Sequence, residues 1–382
     1  MRHYLLFFVL LVIGLGAPGC GQVGVSDTAL QPVETPVEQL FASPEYAMHT
    51  NMWWKPDLIE QDLALVNEME FKWVKQKFPW REIEGIEKGQ YDWYRPDRIV
   101  DAVEAEELNL LVRLDRQPFW SEPEDNLWHE NQAPGDLQDF ADYCGAVAER
   151  YRGRIAAYQV WNEPNLGREW GELPPDPAHY TELLKVCYTA IKEADSQAIV
   201  VSAGLAPTGT TSDQAMPDTD YLQGMYDAGA AAYFDVLGVN APGYKAPPEL
   251  PPEEAEQAEY GGGRWFAFRH VEDIRDIMVA NGDGEKQIAI LEMGWTLDQV
   301  NPEYTWFAVD ESTQADYLVR AYTFAAEHWQ PWIGLMTTIY IPDYDWTAEE
   351  NEQWWWSIVL PDGTPREAFH ALRDMPKVQP TN

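Results

Sequence analysis

Ala157-Tyr158-Gln159-Val160-Trp161-Asn162-Glu163-Pro164-Asn165 and Ile288-Ala289-Ile290-Leu291-Glu292-Met293-Gly294-Trp295 are built alike. Each is a short apolar run, partly β-branched or aromatic, that stops at a carboxylate and passes into turn chemistry, as a buried parallel strand does where it surfaces. A strand end is a rigid mount. If both strands belong to one barrel, Glu163 and Glu292 face each other across its mouth although they stand far apart in sequence.

Outward from these two runs the same alternation continues. Apolar strand-like segments fall at 47–52, 73–78, 110–114, 156–161, 198–203, 236–239, 288–291 and 335–341, with amphipathic helix-like segments between them. Ile59, Leu63, Val66 and Met69 form one helical stripe. Phe268, Val271, Ile274 and Met278 form another, which ends at Asn281-Gly282. Strands interleaved with helices predict an α/β chain folded as a (β/α)8 TIM barrel, with a doubly wound open sheet as the alternative. Segments entering strands are short, whereas those leaving them (117–135, 164–176, 241–263 and 296–310) are long. That asymmetry favours the barrel and puts the long loops on its carboxyl face. The Pro- and Glu-rich stretch 247–259 reads as an insertion over that face, and Gly261-Gly262-Gly263 as a hinge.

The 382-residue length suits one such domain, since a barrel takes about 250 residues and more with insertions. Residues 1–20 differ from the rest. Met1-Arg2-His3 is a positive head, Tyr4 to Leu15 is an apolar run too short for a comfortable membrane span, and small residues lead to Cys20. This is the pattern of an export signal of lipoprotein type, with ordinary secretion as the alternative. A lipid on Cys20 would be the sole link to a membrane. Residues 21–44 read as a flexible tether, 45–376 as the catalytic barrel and 377–382 as a tail. Cys144 and Cys187 fall in helix-like stretches and read as core packing residues. Export would permit a disulfide, but nothing in the spacing says that they meet.

The net charge of −38 is spread along the chain. It disfavours nucleic acid and other polyanions as partners, and leads to the expectation of a neutral oligo- or polysaccharide. Histidines are few and form no zinc-type cluster with carboxylates, so no cofactor or metal is expected.

Two carboxylates over one pocket suit hydrolysis of a glycosidic bond: one protonates the leaving oxygen while the other attacks the anomeric carbon, at a separation of about 5–5.5 Å. Trp161-Asn162-Glu163-Pro164 ending a fourth strand, with Leu291-Glu292-Met293-Gly294-Trp295 ending a seventh, resembles the clan of retaining glycoside hydrolases that includes cellulases, β-mannanases and β-xylosidases. Trp80-Arg81-Glu82-Ile83-Glu84 and the passage 356–368 extend the likeness over residues 46–375. The resemblance implies that Glu163 is the acid/base, Glu292 the nucleophile, and Asn162 a partner of the sugar 2-hydroxyl. Two positions depart from the clan pattern. Asn240 stands where many members carry His, with Tyr244 nearby as the expected support for Glu292. Lys75 or Lys77 stands where many carry Arg, which would replace a bidentate fork by a point charge.

Trp120, Trp128, Trp170, Trp295, Trp306 and Trp346 fall on expected strand-exit loops, either as platforms for pyranose faces or as loop anchors. Trp295 and Trp120 are the preferred sugar contacts, with Trp346 a further one. The reading from another class is an exported, lipid-anchored glycan-binding protein that keeps the barrel without turnover.

Overall fold

The computed structural model describes residues 36–127 and 129–378. The expected signal with Cys20, residues 21–35 of the expected tether, Trp128 and residues 379–382 lie outside the described residues.

Eight strands, β1 (Glu45–His49), β2 (Trp73–Pro79), β3 (Asn109–Asp115), β4 (Ala157–Val160), β5 (Ile199–Val201), β6 (Leu237–Asn240), β7 (Ile288–Met293) and β8 (Ile333–Thr338), run parallel in one sheet. The order β5-β4-β3-β2-β1-β8-β7-β6 places β5 and β6 at its two ends, and parallel bridges Val201–Val236 and Leu205–Val239 join them. The sheet is thus closed into the expected (β/α)8 barrel. One main helix follows each strand: α1 (Ile59–Glu68), α2 (Tyr94–Ala105), α3 (Leu137–Arg150), α4 (Pro177–Ala194), α5 (Asp218–Asp227), α6 (Val271–Ala280), α7 (Glu311–His328) and α8 (Glu367–Asp374). Three of them start on a capping carboxylate, since Asp136, Asp176 and Asp310 accept first-turn N–H groups of α3, α4 and α7.

The two-residue period of a strand sorts each one into a helix-facing and a lumen-facing side. Val74, Phe78, Val112, Leu114, Tyr158 and Val160 pack outward under the helices. Ala47, Trp73, Leu111, Ala157, Ala289 and Leu335 fill the lumen floor. Two residues further along the same strands, the lumen side presents His49, Lys75, Arg113 and Gln159, all buried. An apolar plug thus changes to a polar layer on nearing the carboxyl end. Buried polar groups of this kind require partners, and the partners are what the site is made of.

Three expectations are corrected here. The folded body starts before residue 45: Phe41 is buried against Trp73, and Gln287 Oε1 accepts the N–H groups of Leu40 and Phe41 at 3.0 and 2.9 Å. The end of the supposed tether therefore closes the amino end of the barrel. Cys144 and Cys187 do not pack as thiols; they form a disulfide that ties α3 to α4, with Cα atoms 5.5 Å apart. The triple glycine is a packed turn and not a hinge, because a Cβ on Gly261 (φ +103°) would meet the rings of Trp306 and Phe266.

Candidate active site

Past the end of β4 the chain leaves regular geometry. Trp161 and Glu163 hold φ values of +71° and +42°, a region that costs non-glycine residues energy and is kept only when the surroundings over-determine it. They do so here. The Trp161 ring is fully buried against Phe140 and Trp170, and its indole N–H donates to Glu169 O at 2.9 Å. Glu163 N–H donates to Gly204 O at 3.0 Å, and the Asn165 side chain is bonded to both backbone groups of Ala206. The Glu163 carboxylate is turned to the mouth of the barrel. Asn240 Nδ2 donates to its Oε1 at 2.9 Å, and Arg168, two-thirds exposed, lies 3.1 Å from Oε2. A Cβ on Gly204 would come within 2.2 Å of Asn240 Oδ1, so only glycine there leaves Asn240 its path to Glu163.

At the other wall, β7 carries a bulge. Val239 pairs with Ile290 but Asn240 pairs with Glu292, so the ladder slips by one residue. Leu291 then stays in the lumen while the next side chain, Glu292, lines the mouth. Lys75 Nζ lies 3.2 Å from Glu292 Oε1 and donates to Leu291 O at 2.9 Å. Arg113 Nη1 lies 3.4 Å from the same oxygen and braces itself on Asp115 at 2.8 Å. Burial alone would raise the pKa of Glu292, but the charges of Lys75 and Arg113 outweigh it, and the net direction is down. Glu292 is therefore held as a carboxylate. His49 Nδ1 is 3.8 Å away, yet burial and then the cations Lys75, Lys77 and Arg113 drive that imidazole well below its ordinary pKa. His49 is neutral, and neither of its ring nitrogens has a hydrogen-bond partner among the described residues.

Glu163 and Glu292 line one cleft of about 690 Å³ on the carboxyl face. Asn162, Asn240, Tyr244 and Trp346 line it too. Two further carboxylates share it. Glu169 and Glu352 are each pushed up to about 7, chiefly by burial, with the charge of Glu163 adding to the shift on both and that of Glu292 to the shift on Glu352. Glu169 accepts from Asn131 Nδ2 at 2.6 Å and Glu352 from Trp356 Nε1 at 2.7 Å. A side recess of about 280 Å³ shares Lys77, Arg116 and Trp346 with the main cleft. The arrangement provides one carboxylate fixed in its charged form, a second one bonded to a neutral amide, and open space over both.

The preferred aromatic contacts are corrected. Trp295 is fully buried beneath the β6 exit loop: its indole N–H donates to Ala246 O at 3.0 Å, and Gly243 runs so close to the ring that a Cβ would overlap it. Trp120 does not line the cleft, because its indole N–H donates to Glu84 O at 2.6 Å and its ring meets Trp80 edge-on. Both are loop anchors, as is Trp170. Tyr244 lines the cleft but makes no hydrogen bond to Glu292; its hydroxyl donates to Pro207 O at 3.4 Å, and its ring sits in a cluster with Phe266 and Phe307. Sequence reading passed over Arg113, Arg116, Arg168, Glu169 and Glu352, and named Lys77 only as an alternative to Lys75. A signal existed for the first: Arg113 and Asp115 are charges alternating with leucine inside an apolar strand.

No protein-family model matches the chain, and no curated protein matches it. Solved structures do. A family 39 glycoside hydrolase from Bacteroides cellulosilyticus WH2 superposes with a TM-score of 0.65 at 18% identity, covering 87% of this chain and 63% of that one. Xylanase 10B from Thermotoga maritima gives 0.56 at 14%, over 87% and 94% of the two chains. An exo-β-1,4-mannosidase from Opitutaceae bacterium strain TAV5 gives 0.57 at 15%, over 89% and 62%. At these identities the likeness is one of fold: the chain is a TIM barrel similar to those of glycoside hydrolases.

Proposed function

We propose that the protein hydrolyses a β-linked glycan with retention of configuration, with Glu163 as general acid and then general base and Glu292 as nucleophile. The observation that carries this reading is the contrast between two carboxylates of one cleft: Glu292 is pinned by the cations Lys75 and Arg113, and Glu163 by the neutral amide of Asn240 and one exposed arginine. Glu292 attacks the anomeric carbon while Glu163 gives its proton to the leaving oxygen. Water, deprotonated by Glu163, then resolves the glycosyl ester. Arg168, two-thirds exposed, has room to swing away from Glu163 when a sugar enters. Asn162 is suited to the 2-hydroxyl. The fold shared with a xylanase and an exo-mannosidase supports the reaction class.

Export of the protein, with a lipid on Cys20, remains part of the proposal. The disulfide supports it, because such bonds persist in oxidising compartments. The test is hydrolysis of a panel of aryl β-glycosides and β-linked oligosaccharides by the wild type and by Glu163→Gln and Glu292→Gln. Each variant is expected to lose about 10²–10⁴-fold or more in kcat/KM and to keep its affinity for the glycan. A wild type that cleaves no member of the panel refutes the reading, as does a variant with full activity.

A further inference from the structure

The molecule carries a net charge of −38, yet cations gather where its cleft meets the side recess. Most of the basic groups at the site have a carboxylate to serve: Lys75 and Arg113 hold Glu292, and Arg168 reaches Glu163. Two do not. Lys77, in register with Arg113 across β2 and β3, has no side-chain hydrogen bond and no ion-pair partner among the described residues. Arg116 follows β3 directly, with φ +60° and its backbone N–H bonded to Asn131 Oδ1 at 3.0 Å, and among the described residues its guanidinium pairs only with the exposed Glu130 at 4.0 Å. Both side chains line the main cleft and the side recess. Trp346, partly exposed, lines both as well.

The wall of the recess next to them is aromatic. Trp53 is 5% exposed and lines it, and its buried indole N–H lacks a partner among the described residues. An ammonium without a direct partner in a half-buried wall lowers stability in the free protein, and an anion arriving between Lys77 and Arg116 would relieve it. Asp343 and Asp345 line the recess too, and Asp343 accepts the N–H of Tyr344. They suit sugar hydroxyls, which leaves the Lys77 and Arg116 end as the place for negative charge.

We propose that the space between Lys77 and Arg116, beside Trp346, is a subsite for an anionic substituent of the glycan, either the carboxylate of a uronic acid or a sulfate ester. This rests on the glycosidase reading for the reaction but not for the binding. It also reverses the expectation of a neutral substrate, which was drawn from the charge of the whole chain and not from the field inside the cleft.

The test uses three probes: a β-linked glucose trisaccharide, its counterpart with one glucuronic acid, and its 6-sulfated counterpart. Binding is measured by calorimetry on full-length Glu163→Gln, and hydrolysis on the wild type. One of the two anionic probes is expected to bind about 10- to 100-fold tighter than the neutral one, with an advantage that shrinks in high salt, and the better probe identifies the group. Adding Lys77→Met is expected to remove at least tenfold of that advantage. Arg116→Gln, at an exposed position, is expected to cut it several-fold and keeps the test decisive should Lys77→Met misfold. Equal or tighter binding of the neutral probe overturns the subsite, as does an advantage that survives both substitutions. Lys77-dependent binding of an anionic probe that the wild type never cleaves supports the subsite and overturns the hydrolytic reading. Cleavage of the neutral probe with no preference for charge does the reverse.

Discussion

Glu292 keeps a negative charge in a wall where burial alone would favour its neutral form, and Lys75 and Arg113 are the cause. Catalysis by this carboxylate needs it ionised, so activity should fail on the acid side as pH drops through its depressed pKa. Removing a cation raises that pKa. In Lys75→Met the acidic limb of the kcat/KM profile is therefore expected to move up by about one pH unit or more, and an unmoved limb would contradict the assignment. Glu163 depends on a different device, the empty Cβ position of Gly204. In Gly204→Ala the methyl group would push the Asn240 amide off Glu163, because the end of a side chain yields before backbone does. A fall of about 10- to 100-fold in kcat/KM is expected, with a smaller relative change in KM. At this scale the sequence spoke clearly only where a residue's surroundings were local. Glu163 and Glu292 end apolar runs, and that is visible in a line of text. Lys77 and Arg116 become meaningful only through what they lack in space, and Trp295 was misread because a loop anchor and a sugar platform have the same ring.

Among the elements, every strand was legible, since alternation of apolar runs with amphipathic stretches is set by the layer structure itself. The ends were less so. The eighth run was expected to continue to residue 341, and β8 is regular only to Thr338, although Ile339 N–H still donates to Met293 O at 3.1 Å and Ile341 N–H to His49 O at 2.9 Å. The bulge in β7 left no mark in the sequence, because it is a property of two strands in register and not of one. Between the helices, His270 joins α5 to α6 by bonding to Asp218 at 3.0 Å and to Asp273 at 2.8 Å. Burial would lower its pKa, but the two carboxylates prevail and raise it to about 9. A raised folded-state value means that the contribution is complete below the unfolded pKa of about 6.5 and is lost as pH rises through the folded one. His270→Gln is thus expected to destabilise the protein by about 3 kcal/mol at pH 6 and by little above pH 10. A deficit in chemical denaturation that is the same at both pH values would show the imidazolium to be unimportant.

For the molecule as a whole, the closed barrel brings ends of distant segments to one face, and this alone makes a site from residues that share no local motif. The net charge of the chain is not the charge of that site. Sixty-four acidic residues against 26 basic ones describe the whole chain, whereas the cleft concentrates Lys77, Arg113, Arg116 and Arg168 beside carboxylates of which Glu169 and Glu352 have a pKa pushed up to about 7. The disulfide was equally hidden, since only the packing of α3 on α4 brings its two cysteines together. The central claim is that Glu292 forms a covalent bond to the sugar with the aid of Glu163. Incubation with a 2-deoxy-2-fluoro β-glycoside that carries a good leaving group, followed by peptide mass spectrometry, reads this directly. The account predicts one equivalent of fluorosugar on Glu292 and none in Glu292→Gln; a label on Glu163, Glu169 or Glu352, or turnover without any label and with inversion at the anomeric carbon, would contradict it.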